Sequence, residues 1–170
     1  MEISMRNCIY FVEGECEYAL LHALKEHPAL IAPGKIKVLN VLTEEISKSR
    51  VIMISPGTTV VFVFDTDVPI TEKLKRNIAR IEQYCTSTQL VFLPQVRNLE
   101  DELVRCTDVT KVTELTKSKS TSNFKSDLCK TSNLRAVLTK HQIDVLRLWT
   151  TNPPETFAFF PRNSDVIKAK

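Results

Sequence analysis

The chain has 170 residues, 43% of them apolar and 25% charged, with a net charge of only +3. That is length enough to bury one core unaided, and it excludes a disulfide-dependent mini-protein and a disordered polyelectrolyte. The five cysteines are an odd number without Cys-x-x-Cys spacing. No apolar run approaches the roughly 20 residues of a membrane span, and the opening MEISMRN lacks the apolar stretch of a secretory leader. A cytoplasmic protein with reduced thiols and no membrane partner is expected.

In chain order, residues 7–12 (NCIYFV) predict a buried strand stopped by Glu13-Gly14. Residues 16–26 follow as a helix, with Ala19, Leu20, Ala23 and Leu24 at helical spacing. The alternation over 35–42 predicts a half-buried strand, and Thr43 a cap for a short helix from Glu44. After Pro56-Gly57, residues 59–64 (TVVFVF) are apolar on both faces, the mark of a central strand in a parallel sheet covered on both sides. An amphipathic helix is expected over 71–84, a short strand over 90–93 ended by Pro94, and a helix over 99–105 opened by Asn98. This alternation argues for an α/β fold with a mainly parallel sheet and helices on both faces.

The last third reads differently. Residues 110–116, 123–130, 133–140 and 143–149 predict helices separated by Ser/Thr/Asn-rich breaks, and 156–160 (TFAFF) an extended piece laid on the body. The expected division is a core over 1–106 and a basic, mainly helical extension over 107–170 packed on it. From Lys117 onward ten Lys/Arg face four acids, net +6, whereas residues 1–116 are net −3. An acidic body with a basic tail suits a nucleic-acid enzyme, because phosphates attract Lys/Arg while metal sites need carboxylates. A solvated helical surface explains the same charges.

In a parallel α/β sheet, side chains just beyond the carboxyl ends of neighbouring strands converge on one crevice. Glu13 follows the first strand, and Asp65 and Asp67 follow the most apolar one; alternation along an extended segment puts the two Asp on one side. Clustered carboxylates repel, and Mg²⁺ or Mn²⁺, which prefer oxygen ligands, compensate them. Gly14 supplies permissive backbone for a sharp turn and room for a phosphate. Glu17, in the first helical turn, is either a further metal ligand or a charge favoured by the helix dipole.

The segments FVEGECEYALLHAL (11–24) and VVFVFDTD (60–67), in that order, resemble the TOPRIM domain, whose pattern is a strand ending in Glu-Gly and a later strand ending in Asp-x-Asp. The wording VEGxxE is similar to the TOPRIM domains of the overcoming-lysogenization-defect nucleases and related phage-defence proteins. RNLEDEL (97–103) is similar to the Arg-x-x-Glu-x-x-Leu segment of those families, with Glu100 as its acid.

The resemblance implies a TOPRIM-like fold and metal-dependent phosphodiester cleavage of DNA or RNA, in bacterial or phage conflict. It implies Glu13, Asp65 and Asp67 as metal ligands, Glu17 or Glu100 assisting, and Glu13, Asp65, Asp67 and Glu100 as the catalytic acids. Two metals about 4 Å apart would serve to activate a water and stabilise the leaving oxygen. The larger defence nucleases carry an ATPase domain; this chain has no Gly-rich phosphate loop, so an ATPase partner would be a separate protein.

Arg97, Lys125, Lys130 and Arg135 are the expected nucleic-acid contacts, with surface charge as their ordinary explanation. For Glu100, in LEDEL, a solvated helix acid is the ordinary explanation. His22, His27 and His141 have no partner pattern, and Trp149, Phe157, Phe159 and Phe160 read as core or as a docking face rather than as base-stacking platforms. The rival from another class is a non-catalytic TOPRIM-like module that binds nucleic acid or regulates a partner.

Overall fold

The structure is a computed structural model that describes residues 7–169; the expectation of no leader rests on residues 1–6 and lies outside the described residues. Its strands are β1 (Cys8–Val12), β2 (Gly34–Val38), β3 (Thr59–Asp65) and β4 (Gln89–Gln95). They form one all-parallel sheet in the order β2-β1-β3-β4. The helices in chain order are α1 (Glu15–Lys25), α2 (Lys48–Ile52), α3 (Glu72–Tyr84), α4 (Leu99–Cys106), α5 (Thr113–Thr116), α6 (Thr121–Lys130) and α7 (Leu134–Lys140).

Helices cover both faces, as the doubly apolar β3 predicts. Alternation along the strands sends Tyr10, Val12, Val61, Val63, Val91 and Leu93 into one core with α1 and α4–α7. It sends Phe11, Val60, Phe62, Phe64 and Phe92 into a second core with α2 and α3. Each such fully buried side chain contributes about 1.5–3 kcal/mol, so the alternation fixes the register of the sheet and with it the position of every strand end. Close pairing of β1 with β2 requires Gly34, where a Cβ would lie 2.4 Å from the Cys8 carbonyl oxygen.

Several predicted elements differ in place or kind. The strand expected over 35–42 pairs only to Val38, and the helix expected from Glu44 begins at Lys48 under a Ser47 cap. The cause is tertiary: buried Asn77 on α3 accepts from the Ile46 amide and donates to the Val41 and Glu44 carbonyls, holding this stretch as a loop. Pro94 does not end β4, which continues to Gln95, because β4 is an edge strand with no neighbour to receive a proline N–H.

The extension is less helical than predicted. Residues 143–149 are turns rather than a helix, and of the helix expected over 110–116 only α5 forms. The TFAFF piece is a 3₁₀ turn (Glu155–Phe157) and not extended; Phe157 and Phe160 pack on Phe64 and Phe92. Beyond it, Asn163 donates to the Leu90 carbonyl and accepts from the Phe92 amide. The side-chain amide thereby pairs with the open edge of β4 as a further strand would.

Candidate functional site

The carboxyl ends of β1 and β3 lie side by side at the sheet centre, and α1 and α4 begin there. Asp65 is the last residue of β3 and, by alternation after Val61 and Val63, faces the α1/α4/α6 side, where it is buried. Its backbone amide donates to Glu13 Oε2 at 3.4 Å. Glu17 is buried in the first turn of α1, while Glu13 and Glu100 are half-buried. The amino ends of α1 and α4 present Glu15 and Glu17, and Glu100, Asp101 and Glu102, where the helix dipoles favour negative charge.

Asp67 departs from the expectation. The strand ends at Asp65, residues 67 and 68 form a bend, and Asp67 is exposed, so strand alternation no longer governs its direction. The bend is pinned to the β4–α4 connection: the Thr66 amide donates to the Gln95 and Arg97 carbonyls, and its hydroxyl accepts from the Arg97 amide. Arg97 takes a left-handed backbone (φ 69°) there, and its guanidinium turns to Asp101.

The charges are placed against one another. Burial, then the charges of Glu13, Glu17, Asp67 and Glu100, push the Asp65 carboxyl up to about 8, so it holds a proton at neutral pH. Burial also raises Glu13, with Asp67 and Glu100 adding to it, and raises Glu17, with Glu13 adding to it. The cation of the cluster is Lys125 from α6, 3.5 Å from Glu100 Oε1. Burial works against its charge, but Glu100, Asp65 and Glu17 together outweigh that and raise it. One ammonium faces five carboxylates.

Three buried groups around Asp65 lack hydrogen-bond partners: Asp65 Oδ1, Glu100 Oε2, and both ends of the Gln95 amide. Gln95 is fully buried and sits opposite Asp65 in the β3–β4 register, on the same face. Unpaired buried oxygens and amides are costly, and Gln95 and Glu100 are respectively the register partner and an electrostatic neighbour of Asp65. Sequence reasoning missed Gln95, although a glutamine ending an apolar strand (LVFLPQ) is the signal that would have found it.

A hard divalent cation suits this donor set, which is oxygen throughout. Among the described residues, however, no group of three or more His, Cys, Asp or Glu side chains stands arranged to hold a metal ion. The donor chemistry fits and the present arrangement does not.

Gly14 is not required by its backbone, which is extended (φ −159°). A Cβ there would meet only Glu17 Oε2, at 3.5 Å, an ordinary contact, so packing does not require the glycine either.

The other predicted contacts separate. Lys125 reaches the cluster, and Lys130 lines an open cleft of about 510 Å³ on α6 with Lys117 and Lys119. Arg135 is committed elsewhere, donating to the Ala23 and Pro28 carbonyls. His141 pairs with Asp108 at 2.9 Å, and His22 lies 3.6 Å from Glu26. No helix is long and apolar enough to cross a membrane among the described residues. No family model, curated protein or solved structure matches the chain.

Proposed function

We propose that the chain is a TOPRIM-like, metal-dependent phosphodiesterase acting on DNA or RNA. The observation that carries this reading is the convergence of Glu13, Glu17, Asp65, Asp67 and Glu100 on the carboxyl edge of β1 and β3, where burial and mutual repulsion raise Asp65 to about 8. An arrangement that holds like charges together out of water is destabilising unless a cation relieves it. The Lys125 ammonium, paired with Glu100, relieves the cluster only in part.

Mg²⁺ or Mn²⁺ would be held by Glu13, Glu17, Asp65 and Asp67, with Glu100 within the same cluster, and supplies Lewis-acid polarisation of a phosphate and a more acidic water. Around it the protein's own groups have separate tasks. Asp65 holds a proton on its carboxyl at neutral pH and is poised to release it as positive charge arrives. Lys125, exposed along its length, is placed to exchange Glu100 for a phosphate oxygen. Lys117 and Lys119, before α6, and Lys130 at its end line a cleft with Asp127, a second patch of positive charge available to a nucleic-acid backbone.

One observation favours the non-catalytic rival: Lys125 is paired to Glu100, and among the described residues no three acids are arranged to hold a metal. A module that binds nucleic acid through its lysines would need no such arrangement. Calorimetric titration of Mg²⁺ and Mn²⁺ into the wild type and an Asp65→Ala/Asp67→Ala variant, followed by incubation of both with labelled DNA and RNA, separates the readings. Binding and cleavage that vanish together in the variant are expected. Binding without cleavage favours the module, and a wild type that takes up neither ion sinks the metal-dependent reading.

A further inference from the structure

Beside the acidic cluster, on the outer side of α1, two thiols from distant parts of the chain meet. Cys16 lies in the first turn of α1, between Glu15 and Glu17, and its side chain is buried. Its sulfur is 3.5 Å from that of Cys129 in the last turn of α6, and the two residues are 113 positions apart in sequence. Cys129 is exposed and lines an open cleft of about 390 Å³ with Glu15, Tyr18, His22 and Ser132. One sulfur is therefore reachable from solvent, and the other waits behind it.

We infer that Cys16 and Cys129 form an oxidisable dithiol that closes to a disulfide on reaction with a hydroperoxide, fastening α6 to the first turn of α1. The sulfurs need to approach by only about 1.5 Å to reach bonding distance, near 2.05 Å. The Cys129 thiolate attacks the peroxide; an S–O bond forms, the O–O bond breaks, and the leaving oxygen departs as water or an alcohol after taking up a proton. Cys129 is then a sulfenic acid, oxidised by two electrons as the peroxide is reduced. Cys16 gives up its proton and attacks that sulfur; the S–S bond forms and the hydroxyl leaves as water. In sum, two thiols and one hydrogen peroxide give a disulfide and two waters.

The position gives the bond a consequence. Cys129 stands one helical turn after Lys125, whose ammonium reaches Glu100, and Cys16 precedes Glu17. The disulfide would hold the cation-bearing wall of the cluster against its acid-bearing helix. Because the test below contains no metal and no nucleic acid, its outcome is independent of the proposed phosphodiesterase reading.

Full-length protein, freed of reductant, is treated with stoichiometric hydrogen peroxide. Thiols are then counted in denaturant, and the non-reduced digest is mapped by mass spectrometry. The wild type should fall from five free thiols to three, with one linked peptide pair containing Cys16 and Cys129. Cys129→Ser, a change at an exposed site, should lose neither thiol of a pair, and Cys16→Ser should stop at a sulfenic acid that dimedone traps on Cys129. Oxidation should raise the thermal midpoint of the wild type by about 5–10 °C, since the bond closes a loop of more than a hundred residues, and leave Cys129→Ser unchanged. Five surviving thiols, links among other cysteines, or an unchanged loss of two thiols in Cys129→Ser would overturn the inference.

Discussion

Asp65 and Glu102 are both buried carboxylates at the edge of the same core, and their surroundings are opposite. Glu102 has no exposed surface, yet its oxygens accept from the Trp149 backbone amide at 2.6 Å and from Arg105 at 2.5 Å, and the Cys106 thiol lies 3.8 Å away. Arg105 in turn donates to the Val96 carbonyl, so this acid ties α4 to the extension and to the end of β4. Asp65 is placed differently: its Oδ1 has no partner, and the charges that act on it most are those of other acids, with Lys125 as the cation among them. A buried acid with its bonds made is a structural tie, whereas unmade bonds with like charges around them are the feature on which the proposed metal site rests.

Breaking the satisfied acid should have the largest effect. Glu102→Ala leaves Arg105 without its carboxylate and the Trp149 amide without its acceptor, and should cost about 3–5 kcal/mol in urea denaturation. A loss under about 1 kcal/mol would show that the tie carries little and that the contrast with Asp65 is empty.

Asp65→Asn should do the reverse. The Asp65 carboxyl titrates near 8 in the folded chain, against its ordinary value of 3.8, so the folded state binds the proton more tightly. Its contribution to stability is full below about pH 4 and is lost as pH rises toward 8. The asparagine cannot ionise and escapes that loss. The variant should therefore match the wild type at pH 4 and exceed it by about 1–3 kcal/mol at pH 8, read as thermal midpoints across the range. Glu13 and Glu17, raised in the same direction, should leave a residual slope in the variant. A wild-type advantage at pH 8 would mean that Asp65 is ionised and satisfied.

Gln95→Leu tests the same idea on a neutral group. Removing an amide with no partner at either end should stabilise the metal-free protein by about 1–2 kcal/mol, while weakening Mn²⁺ uptake in a parallel titration. A glutamine that serves the fold would give a loss of stability instead.

The contrast between the two acids was only half legible in the sequence. A short β-branched and aromatic run revealed β1 and a run apolar on both faces revealed β3, and the topology of a parallel sheet then brought Glu13 and Asp65 together, because strand ends are set by local pattern and by sheet register. Only the Arg-x-x-Glu-x-x-Leu resemblance of RNLEDEL singled out Glu100; the residue pattern by itself does not tell it from Glu102, two positions away on the same helix. What distinguishes them is Trp149 and Lys125, delivered from the extension by packing that no local pattern encodes. The loop before α2 escaped for the same reason, since Asn77 holds it from 31 or more positions away. Asp67 was placed by extending strand alternation past the end of the strand, where the Thr66 hydrogen bonds take over.

The two cations of the extension sharpen the comparison with the smallest effect. Arg135 and Lys125 look equivalent in sequence, both on basic helices, but Arg135 donates to two carbonyls around the end of α1, and Lys125 makes its bond to an acid of the cluster. Arg135→Ala should cost about 1 kcal/mol of stability and leave affinity for a labelled oligonucleotide unchanged. Lys125→Ala should keep the fold, weaken that affinity and lower the slope of its salt dependence by about one counterion. It should also push Asp65 still further toward its protonated form, because the one ammonium facing the acids is gone. Should both substitutions weaken oligonucleotide binding equally, phosphate contact would be spread over the whole basic face, and the acidic cluster would have no privileged lysine.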